Sequence, residues 1–76
     1  MQSDGAEREV LEELSKKLLM KRDEIINFLQ GKVDNPKTTY ANIIENLKAK
    51  GFIKHISPIG ESVVTITQKG IREVNL

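Results

Sequence analysis

Residues 42–56 read NIIENLKAKGFIKHI, and the hydrophobic period changes inside this stretch. Up to Lys50, Ile44 and Leu47 continue a three- and four-residue spacing that begins at Tyr40, as in a helix with one buried face. Gly51 supplies a residue that can take the left-handed conformation ending a helix. Beyond it Phe52, Ile53 and Ile56 begin a strand. Residues 57–62, Ser-Pro-Ile-Gly-Glu-Ser, form a loop, and the β-branched run Val63-Val64-Thr65-Ile66-Thr67 makes a second strand. A helix over 38–50 therefore runs directly into a hairpin over 53–67. Gly70 interrupts the pattern past this second strand, and residues 71–76 read as a short tail of strand or helical turn.

Working towards the N-terminus, Gly31 and Asp34-Asn35-Pro36 mark a turn over residues 31–37, after which Thr38 or Thr39 can cap the helix. Ile25, Ile26, Phe28 and Leu29 give a second helical pattern, with Asp23 and Glu24 at its start and Gly31 just past its end. Val10, Leu11, Leu14, Leu18 and Leu19 give a first helix from Ala6 to Leu19, capped by Ser3 or Asp4 and with Glu7 and Glu9 suited to its positive end. Propensity alone permits one helix from Ala6 to Gln30. A rod of about 25 residues cannot fold back over so small a core, so a break near residues 20–22 is expected. The fold class is α+β, mostly α: three helices and a C-terminal hairpin, in one domain over residues 6–76 behind an acidic, flexible segment 1–5.

The chain has 76 residues and no cysteine, so disulfides and thiolate metal sites are excluded and one small core must hold the fold. No apolar signal core follows residues 1–6 and no apolar run approaches membrane-spanning length, so the expectation is a soluble cytoplasmic protein without a membrane partner. Charge is polarised. Residues 1–15 hold five acids and one base, net −4, whereas residues 16–76 hold eleven Lys and Arg against six acids, net +5. Such polarity favours one face for an anionic partner. Catalysis finds no support. There is one histidine, no phosphate-cradling glycine loop and no nucleophile elbow, and Glu12-Glu13 and Asp23-Glu24 are adjacent on helices and diverge. The chain reads as a non-enzyme with no cofactor and no metal.

Helix, helix, turn, helix, hairpin is the order of a winged helix-turn-helix. The run NIIENLKAKGFIKHI, followed after a loop by VVTITQKG, resembles the MarR, PadR and ArsR group of transcriptional regulators. The matching residues are Leu47, Gly51, Phe52, Ile53, Thr67, Lys69 and Gly70, and the resemblance extends over about residues 10–70. It implies a sequence-specific double-stranded DNA-binding domain, with the helix 38–50 in the major groove, the hairpin as wing and a nucleoid-associated location. Two features depart from the group. The turn 31–37 is longer than usual, and the sequence ends at Leu76, where many of these regulators continue into a dimerisation helix.

With Tyr40, Ile44 and Leu47 turned inward, Thr39, Asn42, Ile43 and Asn46 are expected to face base edges. Asn42 and Asn46 suit adenine, while Ile43 and the Thr39 methyl suit thymine methyls. Lys37 and Thr38 at the helix start, and Lys48, Lys50 and Lys54 at the far end, are expected at phosphates. In the wing, Ser57 and Ser62 offer neutral contacts and Glu61 would repel phosphate. A homodimer partner would dock on the first helix through Val10, Leu14 and Leu18, because a single module buries only about 600–1,000 Å² on DNA. The alternative is a winged-helix module that binds another protein. Its motives are the modest net charge, the acidic first helix and an exposed Ile43. His55 reads as a surface strand residue and Tyr40 as a core anchor.

Overall fold

The computed structural model describes residues 2–56 and 62–75. Seven elements run in order along the chain: α1 (Gln2–Lys17), β1 (Leu19–Lys21), α2 (Arg22–Leu29), α3 (Pro36–Ala49), β2 (Ile53–Ile56), β3 (Val63–Ile66) and α4 (Gln68–Val74). The result is a small α+β fold, mostly helical, with four helices and a three-stranded antiparallel sheet in the order β1-β3-β2.

α1 opens at Gln2, four residues before the expected start. Val10, Leu11 and Leu14 line its buried side, and Lys16 and Lys17 occupy the last turn, where cations suit the helix dipole. It ends where Leu18 enters the left-handed region at φ 71°, its N–H still donating to the Leu14 carbonyl at 2.6 Å. The expected break between the first two helices is there, but it takes the form of a strand. β1 buries only Met20 and pairs with β3 in the register Leu19↔Thr65, Met20↔Val64, Lys21↔Val63. α2 starts at once, with the Lys21 N–H donating to the Glu24 carboxylate at 2.8 Å, and Asp23 and Glu24 sit at its positive end.

Gly31, at φ +83°, turns the chain out of α2. α3 then begins two residues before the expected Thr38, with Asn35 at the N-cap and Pro36 at the first helical position, where its missing N–H costs nothing. At the other end Phe52 N–H donates to the Leu47 carbonyl at 3.0 Å and Gly51 N–H to that of Lys48 at 3.0 Å. With Gly51 at φ +80°, this is a Schellman cap.

The tail is a helix, α4, and Gly70 lies inside it rather than interrupting it. Thr67 is its cap: Oγ1 accepts from Gly70 N–H at 3.1 Å and donates to the Gly51 carbonyl at 2.7 Å. Thr67 N–H donates to the Phe52 carbonyl at 2.9 Å. A Cβ on Gly70 would collide with that carbonyl oxygen and lie 2.8 Å from Ile66 Cγ1, so only glycine fits. The Lys69 stem covers Gly51, and its ammonium stands 5.9 Å from the centre of the Phe52 ring. Most of the residues that carried the family resemblance thus form one knot between the end of α3, the start of β2 and α4.

One core lies between the helices and the inner face of the sheet. Its fully buried side chains include Val10, Leu14, Met20, Ile25, Leu29, Ile43, Leu47 and Val64. Val10 and Leu14 are therefore spent inside the chain, which corrects the expected dimer surface on the first helix; of the three residues expected there, only Leu18 is exposed. No helix among the described residues is long and apolar enough to cross a membrane.

Candidate nucleic-acid interface

α3 presents one apolar and one polar side. At 100° per residue, Ile43 lies three positions from Tyr40 and four from Leu47, so it shares their face. It is 0% exposed, in the same stripe as Tyr40, Ile44 and Leu47. This corrects the expectation that Ile43 faces a base, and it also removes the exposed Ile43 as a motive for protein binding. The opposite side carries Thr38, Ala41, Asn42, Glu45 and Ala49, all exposed. Thr39 is half-buried on the flank between the two sides.

Asn46 and Lys50 lie on the flank that faces α1. Glu7, only 7% exposed, holds both of them: its Oε1 accepts from Asn46 Nδ2 at 3.3 Å and its Oε2 from Lys50 Nζ at 2.7 Å. A carboxylate so enclosed is tolerable because two donors meet it, one of them charged. Glu7 was expected to serve the start of the first helix. The sequence did carry a signal for its actual place, because Glu7 stands three, four and seven positions before Val10, Leu11 and Leu14 and so belongs to the buried side.

At the start of α3 the Asn35 side chain makes no capping bond, and the first turn holds no acidic residue. Ile26, Gln30, Asn35, Pro36, Lys37 and Thr38 line an open cleft of ≈ 380 Å³ between the end of α2 and this turn. Lys37 and Thr38 are exposed there. Backbone N–H groups at a helix start together with a lysine suit an anionic group.

Other candidates are scattered. Lys48 is exposed on the side of α3 away from Glu7. Lys54 is exposed on β2, and its register, Lys54↔Thr65 with Thr65↔Leu19, puts it on the outer face of the sheet rather than beside the outer side of α3. His55 is exposed, as expected of a surface strand residue. Ser57 and Glu61 lie outside the described residues, whereas Ser62 is half-buried, its carbonyl accepting from Arg22 N–H at 3.0 Å.

Tyr40 anchors α3 from within. Burial pushes its phenol above the ordinary value of 10.0, and the Arg22 guanidinium, 5.7 Å from the ring centre, pulls the other way. No group of acidic, histidine or cysteine side chains that could hold a metal ion occurs among the described residues. No protein-family model matches the chain, and no curated protein or solved structure matches it, so its function has to be argued from this geometry.

Proposed function

We propose that the chain is a winged helix-turn-helix domain that binds double-stranded DNA, with α3 entering the major groove and the β2–β3 hairpin as wing. The observation that carries this reading is the uncovered polar side of α3: Thr38, Asn42 and Glu45 are exposed with only alanines between them, over an inner side locked into the core. The element order, α2 and α3 joined by a turn and followed by a hairpin, supports it as well.

The reading surface is narrower than sequence spacing implied. Asn42 can pair with adenine N6 and N7, Thr38 can reach either kind of base edge, and Glu45 can accept from cytosine N4. Lys37, with the first-turn amides of α3, and Lys48 on the flank suit phosphates. Asn46 and Lys50 are exposed but share Glu7, so they offer DNA only the donors that this carboxylate leaves.

Titration of a duplex at several salt concentrations tests this. Log affinity should fall linearly with log salt, with a slope near −0.9 for each phosphate neutralised. Affinity indifferent to salt would contradict phosphate-anchored binding. A protein-binding role draws on a different surface, the outer face of the sheet, where Leu19 and Ile56 are exposed.

A further inference from the structure

The glutamates of α1 are not equivalent. Glu9, Glu12 and Glu13 meet Lys32, Arg8 and Lys17 at 3.7, 3.4 and 3.6 Å, and none of the three is buried. Glu7 is buried, and its partners lie on α3 and at its C-cap: Lys50 Nζ at 2.7 Å and Asn46 Nδ2 at 3.3 Å. Leu11, Leu47 and Phe52 wall the same small cleft of ≈ 110 Å³, which Arg8 and Glu73 also line. Apolar side chains of similar volume replace buried ion pairs with little or no loss of stability. Packing alone therefore does not call for a charge at residue 7.

The charge stands beside the surface proposed to meet DNA. Asn42, Asn46 and Lys50 follow one another at four-residue spacing. Asn46 and Lys50 thus lie about 6 Å and 12 Å beyond Asn42, turning by about 40° at each step. Both turn to the flank that α1 covers. A phosphate oxygen about 2.8 Å from the Lys50 ammonium would come within about 5.5 Å of the Glu7 carboxylate. That is shorter than the Debye length of about 8 Å at physiological salt, so the repulsion survives screening.

We infer that Glu7 makes an autoinhibitory contact: its carboxylate competes with DNA phosphate for the α1 flank of α3 and holds duplex affinity down. The inference rests on the DNA-binding reading and adds a regulation of the same site. It gives the polarised charge of the sequence a place to act, since α1 lays the acidic start of the chain against the helix of the basic remainder that would enter the groove. Discharging Glu7 strengthens DNA binding, whereas losing a merely structural contact would weaken the fold and leave binding no tighter.

The test is duplex titration over a range of salt concentrations with the full chain and four variants. E7Q removes the charge, and E7M removes it while filling the apolar walls of the cleft. Each should bind about fivefold tighter than the parent, with a salt slope steeper by about 0.9, the effect of one more phosphate neutralised. E12Q changes net charge equally at an exposed site and should bind like the parent. E7Q/K50Q should return to the parent's slope. Circular dichroism and denaturation midpoints accompany each titration, because a structural role moves the midpoint and not the slope. The inference is overturned if E7Q and E7M match the parent in affinity and slope, if E12Q gains as much as they do, or if both Glu7 variants fail to fold. A parent that binds with a negative salt slope, joined by variants that gain nothing, defeats this inference alone. No duplex binding by the parent or by any variant defeats the DNA-binding reading and this inference together.

Discussion

The two ends of α3 contain the same kinds of residue and differ in what surrounds them. Asn42 and Asn46 are one turn apart, and Lys37 and Lys50 stand near opposite ends. At the N-terminal end Lys37, Thr38 and Asn42 face solvent beside an open cleft. At the C-terminal end Glu7 holds Asn46 and Lys50, while Thr67 and Gly70 clasp the backbone around Gly51 and Phe52. Residue type and helical spacing therefore do not decide which side chains a helix can offer to a ligand. The neighbouring elements decide it, and here they turn one end of α3 into scaffold and leave the other open.

The largest effect should come from breaking the scaffold end. Gly70→Val places a branched side chain against the Phe52 carbonyl and Ile66, and it should cost on the order of 4 kcal/mol or more, read by chemical denaturation. A midpoint close to that of the parent would show that the clasp yields easily. Next comes Ile43→Ala, which sharpens the distinction between the two sides of α3. As a fully buried residue Ile43 should cost about 3 kcal/mol on truncation, whereas Asn42→Ala should stay within about 0.5 kcal/mol of the parent. Equal effects at the two positions would mean that the helix is rotated from the orientation described.

Much of the fold is legible in the sequence because its signals are local. The change of period at Gly51 locates the end of α3 and the start of β2, and Leu47, Gly51 and Phe52 do form the cap that such a change requires. β1 is not legible. Leu19-Met20-Lys21 has good helical propensity, and it becomes a strand because β3 supplies pairing partners more than forty residues away. α4 is hidden by Gly70, which is unfavourable in a helix by propensity but required where the Phe52 carbonyl leaves no room for a Cβ. In the site, a stripe drawn through Tyr40, Ile44 and Leu47 alone leaves Ile43 outside it, although the helical period allows all four. The capture of Asn46 by Glu7 joins residues 39 positions apart, and no local pattern on α3 reveals it.

The smallest expected effect concerns Tyr40, the chain's only tyrosine, so tyrosinate absorbance reports it alone. Its phenol is raised in the folded state above 10.0, chiefly by burial. The folded form therefore keeps its proton longer than the unfolded form. Tyr40 contributes stability that is fully present below pH 10.0 and lost as pH rises through its folded value. Tyr40→Phe should remove that part of the alkaline loss. A Tyr40 that titrates at or below the ordinary phenol value would mean that its ring is more open to water than the packing under α3 implies.

The decisive comparison is duplex affinity measured side by side for the parent, Asn42→Ala and Asn46→Ala on one preferred sequence. If the open end of α3 reads DNA, losing Asn42 should weaken specific binding by about 1–3 kcal/mol, while losing Asn46, already engaged by Glu7, should change it far less. Loss of affinity on removing Asn46 with none on removing Asn42 would reverse the assignment of the two ends, and no loss in either variant would take α3 out of the interface.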